Sequence, residues 1–104
     1  MLRFLLVSLL VTLPACGQPP PPDASGAEIY QQVCSNCHGD DLEGGIGPAL
    51  GPGTNAASQD DDFLVLTITR GRGRMPSFAA SLSEDQIARV VEHLRARQAG
   101  EESR

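Results

Sequence analysis

The stretch Cys34-Ser35-Asn36-Cys37-His38 constrains this chain more than any other, because it sets two thiols and an imidazole within five positions. Three chemistries use such a cluster: a dithiol/disulfide couple, one corner of a zinc site, or covalent attachment of a haem. A redox Cys-x-x-Cys belongs at a strand-to-helix junction of an α/β fold. Here it ends a stretch with helical signals, in a chain without convincing strands, and His38 is left without a task. A closed zinc site wants four ligands, commonly as two spaced pairs. Cys34, Cys37 and His38 supply three at most, and neighbouring Cys37 and His38 are awkward to aim at one tetrahedral ion. Haem attachment uses all three residues: the thiols add across the vinyl groups as thioethers, and the adjacent imidazole reaches the iron.

A sixth ligand stands at a suitable distance along the chain. Met75, in "GRGRMPSF", is the only methionine after the initiator. A lone Met usually fills gaps in a core. One set between Arg74 and Pro76 in a glycine-punctuated loop is a poor filler, and ligation is the better use of its thioether.

Helical periodicity supports an all-α reading, with three or more helices. Ser83 and Gln86 form a capping box, Leu82 and Ile87 the matching staple, and Ile87, Val90, Val91 and Leu94 recur on one face. Ser25 and Glu28 suggest a second capping box, opening a helix that carries Ile29, Tyr30 and Val33 into the Cys/His stretch. A middle helix starts at Asp60–Asp62, carries Phe63, Leu64, Leu66 and Ile68, and stops at Gly71. The Gly- and Pro-rich segment 38–59 reads as a long loop, a feature that compact domains keep for wrapping something. Only Tyr30, Phe63 and Phe78 are aromatic between Ser25 and Gln98, and so small a core calls for a staple. A Cys34–Cys37 disulfide would close too tiny a loop to supply it, whereas a buried cofactor would.

The N-terminus reads as a targeting segment. Arg3 precedes an apolar run from Phe4 to Leu13, about half the length a bilayer span requires. Leu13 and Ala15 before Cys16 resemble the lipobox of bacterial lipoproteins, although Pro14 departs from its commonest form. That resemblance implies a signal over 1–15 and a lipid on the sulfur of Cys16. Residues 16–24, with Pro19 to Pro22, read as a semi-rigid polyproline tether holding the domain off the membrane. The domain then spans 25–98, and 99–104 reads as a disordered tail. The net charge is −5 and every cation is arginine, so an acidic surface argues against nucleic acid as a partner.

Taken together, Gly26 to Tyr30, Cys34-Ser35-Asn36-Cys37-His38-Gly39, "GIGPAL", Met75-Pro76 with Phe78, and the C-terminal helix resemble class I cytochrome c of the short bacterial monohaem kind. The resemblance covers roughly Gly26 to Arg97. It implies a small cytochrome c fold: helices wrapped around one covalent haem c, the first and last crossing near Gly26. It also implies Cys34 and Cys37 as thioether carriers, His38 as proximal and Met75 as distal ligand, and Pro48 as the carbonyl that accepts the proximal ring N–H. His93 stands where the family often has an aromatic on the last helix, and reads as a packing residue in that role.

With both axial positions filled, the implied chemistry is outer-sphere transfer of single electrons, not an enzymatic reaction, and no small-molecule substrate is expected. The leading expectation is a membrane-tethered carrier between redox protein partners, on the outer side of the cytoplasmic membrane. The alternative is an electron-accepting haem subunit of a specific periplasmic dehydrogenase or oxidase complex. A ligand-sensing or peroxidase role would require Met75 to leave the iron. Arg70, Arg72 and Arg74 before the Met suggest propionate contacts, an acidic partner or simply a solvated face; Asp40, Asp41 and Glu43 could steer a basic partner.

Overall fold

The computed structural model describes residues 8–11 and 17–101. Most of the expected signal therefore lies outside the described residues, as does the lipidation site Cys16. Of residues 8–11, Leu9, Leu10 and Val11 are exposed and without regular structure.

The domain has five α-helical segments in chain order: α1 (Gly26–Ile29), α2 (Ser35–His38), α3 (Asn55–Ser58), α4 (Asp61–Arg70) and α5 (Glu84–Gln98). Among the described residues there is no strand, only an isolated bridge between Arg72 and Met75. The all-α expectation holds. Helix α5 packs against both α1 and α4, and these three helices form the frame on which the loops are hung.

Local chemistry accounts for most of the boundaries. The Ser83 hydroxyl accepts the Gln86 N–H at 3.2 Å and the Gln86 side chain accepts the Ser83 N–H at 2.8 Å, so the expected capping box of α5 forms in full. Glu84 and Asp85 lie at its positive end, Arg95 and Arg97 at its negative end. Helix α4 is capped by Asp60, whose carboxylate accepts the Phe63 N–H at 2.8 Å, and ends at Gly71. The threonines that made this run look partly strand-like donate to carbonyls one turn back, Thr67 to Phe63 and Thr69 to Val65, each at 2.7 Å.

The first helix departs from expectation in two ways. Ser25 accepts the Glu28 N–H at 3.1 Å, but Glu28 accepts the Ser25 hydroxyl instead of reaching back to its backbone, so only half the box forms. The helix is also not continuous. Tyr30–Cys34 is a π-helical turn between α1 and α2. One extra residue in that turn rotates α2 by about 100° relative to an uninterrupted helix. Segment 38–59 is not wholly loop either, since Thr54 caps the single turn of α3. The cue, a threonine before Asn-Ala-Ala-Ser, is too short to carry a helical period.

The core comprises Ile29, Tyr30, Leu42, Leu64, Ile68, Leu82, Ile87, Val90, Val91 and Leu94. Leu66, one of the apolar residues that α4 carries, is exposed. At the crossing of α1 and α5, a Cβ on Gly26 would collide with the Arg89 carbonyl oxygen, so the two backbones meet there without an intervening side chain. His93 sits at the same crossing, buried, its ring centroid 5.6 Å from that of Tyr30. Its expected role as an aromatic-like packing residue matches this position.

The proline-rich segment does not stand off as a spacer. Pro20 and Ala24 are buried, and residues 18–24 lie along α5 and the π-helical turn.

Candidate functional site

The site begins with the π-helical turn, which delivers Cys34 at its end and leads into α2. Cys34 and Cys37 are three residues apart on one helical stretch, hence on neighbouring positions of one side. Cys34 is half-buried and Cys37 exposed, both as free thiols. Burial, and then the neighbouring Cys37, push the Cys34 thiol up to about 11. His38, the last residue of α2, is buried.

Three contacts hold this stretch from below. The buried Tyr30 hydroxyl donates to the Gly39 carbonyl at 2.7 Å, tying the end of α2 to the start of the π-helical turn. Desolvation is the main reason the Tyr30 hydroxyl is raised to about 12, so it stays a donor. The Gln31 side chain donates to the Asp40 carbonyl at 2.9 Å, and the Gly47 N–H donates to the Cys37 carbonyl at 2.7 Å.

The His38 ring is fixed by its Nδ1, 2.8 Å from the Pro48 carbonyl oxygen. A carbonyl only accepts, so Nδ1 carries the proton and Nε2 keeps a free lone pair. The side of the ring is fitted as closely. A Cβ on Gly47 would lie 2.9 Å from His38 Cε1. Gly47 thus forms a cradle that a larger residue would fill, and the "GIGPAL" segment acts through both a missing side chain and a carbonyl.

Met75 is on a different element, the loop between α4 and α5, and is half-buried against the core alongside Cys34, Phe63 and Phe78. Its backbone exchanges two hydrogen bonds with Arg72, at 2.9 and 3.1 Å. Gly71 starts the loop at φ 75, and a Cβ there would stand 2.5 Å from the Met75 carbonyl oxygen. Phe78 returns the chain to α4 by donating to the Ile68 carbonyl at 3.0 Å.

The charged groups flanking the site divide into used and free. Asp41 pairs with Arg97 and Asp61 with Arg95, the two ion pairs among the described residues. Arg70, Arg72 and Arg74 are exposed and outside both, although the Arg72 guanidinium lies 5.5 Å from the Phe63 ring centroid. Among the described residues, no three His, Cys, Asp or Glu side chains are grouped to hold a metal ion.

Tyr30 and Gly47 were not singled out by their positions in the sequence for these tasks. Tyr30 read only as part of a packing face. Its bond to Gly39 spans nine residues and has no local signature, and a glycine in a glycine-rich loop does not announce which neighbour needs the space.

The donor set suits a covalently held haem: two free thiols on one helical side, an imidazole with a committed Nδ1 and a free Nε2, and a thioether on a separate loop packed against the same core. Residues 21–94 match the family described as "Cytochrome C oxidase, cbb3-type, subunit III". Cytochrome c-551 of Bacillus subtilis is 40% identical over 68 residues, which are 65% of this chain and 56% of that protein. The match thus spans little more than half the length of this relative. Among solved structures, cytochrome cL from Hyphomicrobium denitrificans is 34% identical with a TM-score of 0.61, covering 67% of this chain and 44% of that one. Cytochrome c6 from the diatom Phaeodactylum tricornutum is 25% identical with a TM-score of 0.63, covering 72% and 92%. These likenesses, joined to the Cys/His/Met arrangement, imply one covalently bound haem c. The chain belongs to the family described as cbb3-type cytochrome c oxidase subunit III, and is a small monohaem class I cytochrome c.

Proposed function

We propose that this chain is a membrane-tethered carrier that passes single electrons between redox protein partners and catalyses no reaction of its own. In this reading Cys34 and Cys37 hold the haem through thioethers, while His38 and Met75 fill its axial positions. A lipid on Cys16 keeps the protein on the outer side of the cytoplasmic membrane. The observation that carries the proposal is the 2.8 Å bond from His38 Nδ1 to the Pro48 carbonyl, which orients Nε2 and raises its strength as a donor.

When bound, the haem supplies a one-electron couple, and its Met ligand favours a higher potential than a second His would. The chain's own contribution is rigidity and exclusion of water. The Tyr30, Gly47 and Pro48 contacts keep the imidazole from reorienting between oxidation states. The half-buried Met75, Phe63 and Phe78 keep the opposite side apolar, and a low dielectric favours the less charged reduced form. No described helix is long and apolar enough to cross a membrane.

A second reading, an electron-accepting subunit of a larger dehydrogenase or oxidase complex, draws support from the family's description, which names an oxidase subunit. Purification under gentle conditions separates the two. A carrier elutes at the size of one chain in its detergent micelle, and a subunit co-elutes with its complex.

The ligand set is tested by optical spectra of matured wild-type protein and Met75→Ala. We expect sharp c-type bands on reduction and a weak far-red band in the oxidised wild type that disappears in the variant. A far-red band that survives the substitution, or a high-spin wild-type spectrum, would remove Met75 from the iron and bring ligand binding or peroxidase chemistry forward.

A further inference from the structure

The segment Gln18 to Ala24 makes more specific contacts than a tether needs. Its carbonyls are met one after another by side-chain donors of the domain. The Gln32 side chain, in the π-helical turn, donates to the Gln18 carbonyl at 2.9 Å. Gln86 Nε2, in the first turn of α5, lies 3.3 Å from the Pro20 and 3.2 Å from the Pro21 carbonyl oxygen. Arg89, one turn further along α5, donates to the Pro22 carbonyl at 2.7 Å and also to the Ala24 carbonyl. The Ala24 N–H closes the end of the segment on the Pro21 carbonyl at 3.0 Å.

This pattern suits polyproline and few other sequences. Pro19 to Pro22 have no N–H, so this stretch presents carbonyls and needs a surface made of donors; the one internal bond, at the turn over Pro22 and Asp23, uses the Ala24 N–H. Gln86 and Arg89 supply such a surface. Gln86 is suited to it because its amide does two jobs: Oε1 accepts the Ser83 N–H in the helix cap while Nε2 faces the prolines. It is buried in doing so. The stiff segment also has little conformational freedom to lose on docking.

The segment ends at a telling place. Gly17, Gln18, Pro19 and Pro20 line a groove with Gln32, Val33, Ala80 and Ser81. Val33 precedes Cys34, and Ala80 and Ser81 follow the Met75 loop through Phe78. The chain therefore leaves the domain over the rim shared by the two elements of the haem site.

We infer that α5 and the π-helical turn form a polyproline-docking groove occupied by this chain's own residues 18–24, and that the docked strap fixes the attitude of the haem site toward whatever surface holds the N-terminus. The second half rests on the reading of Cys16 as the lipid anchor. Consecutive Cα atoms are about 3.8 Å apart, so an anchor one residue before Gly17 has almost no free length. Rather than swinging on a spacer, the domain lies against the bilayer with the Cys34/Met75 rim beside it. Partners of this carrier then expose their own redox group close to the membrane surface.

The strap is tested on reduced, haem-loaded protein by the ¹⁵N heteronuclear NOE of the Gln18, Asp23 and Ala24 amides. We expect values equal to those of α5 amides in wild type. In a Gln86→Glu/Arg89→Ala double variant they should fall well below the α5 values. Glu at position 86 keeps the acceptor that caps Ser83, so α5 and the visible spectrum stay unchanged while the donors to the prolines are gone. Wild-type values already well below those of α5, or double-variant values that stay at the α5 level, overturn the docking. Orientation is read separately, by polarised absorption of the haem in the full lipidated chain on oriented phosphatidylethanolamine/phosphatidylglycerol bilayers. A dichroic ratio away from unity in wild type and at unity in the double variant is expected. A ratio of unity for retained wild-type protein overturns the orienting role. Protein that is not retained at all overturns the anchor reading and the orienting role with it, while the NOE values still decide the strap.

Discussion

The two sides of the haem site are built by opposite means. On the His38 side, a helix end is tied down by contacts that converge from different elements: Tyr30 to Gly39, Gln31 to Asp40, Gly47 to Cys37, and His38 itself to Pro48. On the Met75 side, a short loop is held mainly by its own backbone, through the Arg72 pair and the return of Phe78 to Ile68. The Met75 side chain is half-buried against the apolar core, and Arg74, Pro76 and Ser77 around it are exposed. The difference shows which side chain is over-determined. Several independent constraints must fail before His38 moves, whereas Met75 moves when one loop does. If the two ligate the iron as proposed, the haem would be held rigidly on the His38 side, with adjustment left to the Met75 side.

Two glycines let that contrast be broken deliberately. Gly47→Val should have the largest effect, because its side chain enters space that His38 Cε1 and the Cys37 carbonyl already border. Displacing a buried, hydrogen-bonded ring and a backbone contact together should cost about 2–4 kcal/mol. Denaturant unfolding of the matured protein, followed by far-UV circular dichroism and by haem absorbance, should show both transitions moving down together. If only the haem signal moves, the His38 side is no more rigid than the Met75 side.

Gly71→Ala should act on the other side alone. It places a non-glycine residue at φ 75 and a Cβ against the Met75 carbonyl, a strain of about 1–3 kcal/mol. The loop can relieve it by shifting Met75, so the far-red band should weaken while the helical transition changes less than for Gly47→Val. An intact band together with an equal loss of helical stability would sink the contrast between the two sides.

The smallest effect belongs to the crossing of α1 and α5. His93 Nε2 is buried and has no hydrogen-bond partner among the described residues. Burial, helped by the Arg97 charge, lowers the His93 pKa below its ordinary 6.5, and the neighbouring Tyr30 hydroxyl remains neutral. The unfolded chain then binds a proton that the folded one resists. Stability should fall as pH drops through 6.5 toward the lowered folded value, and be regained above 6.5. His93→Phe should flatten that slope in urea midpoints compared between pH 7.5 and 5, with the visible spectrum unchanged at both. Equal slopes in the two proteins would show that His93 contributes nothing to the pH dependence.

Much of the fold was legible because its signals are local. The Ser83/Gln86 cap, the Asp60 cap and the Gly71 stop each depend on residues within one helical turn, and each appears where the sequence places it. The His38–Pro48 bond was legible only through resemblance to a family, since nothing local couples a histidine to a carbonyl ten residues away. The π-helical turn, the short α3 and the Tyr30–Gly39 tie were not legible. A π-turn changes hydrogen bonding without changing residue types, and a single helical turn is shorter than the period that would reveal it. The proline run misled in the opposite direction. Composition correctly indicates a stiff extended segment, but not whether a surface of donors is waiting for it.

The sequence by itself pointed to the cofactor, because Cys34, Cys37 and His38 stand in the one short run that covalent haem attachment uses, and Met75 is the only methionine after the initiator to offer a thioether. It also determined the helical architecture, through caps and apolar periods that need no distant partner. Only the tertiary structure decided the orientation of the parts: which ring nitrogen of His38 stays free, which side of the site can yield, and where the proline segment lies. Those outcomes depend on groups far apart in the chain, such as Gln86 and Pro20 or His93 and Tyr30. Their encounter is set by how α5 packs against α1 and α4, and no stretch of sequence read alone contains that geometry.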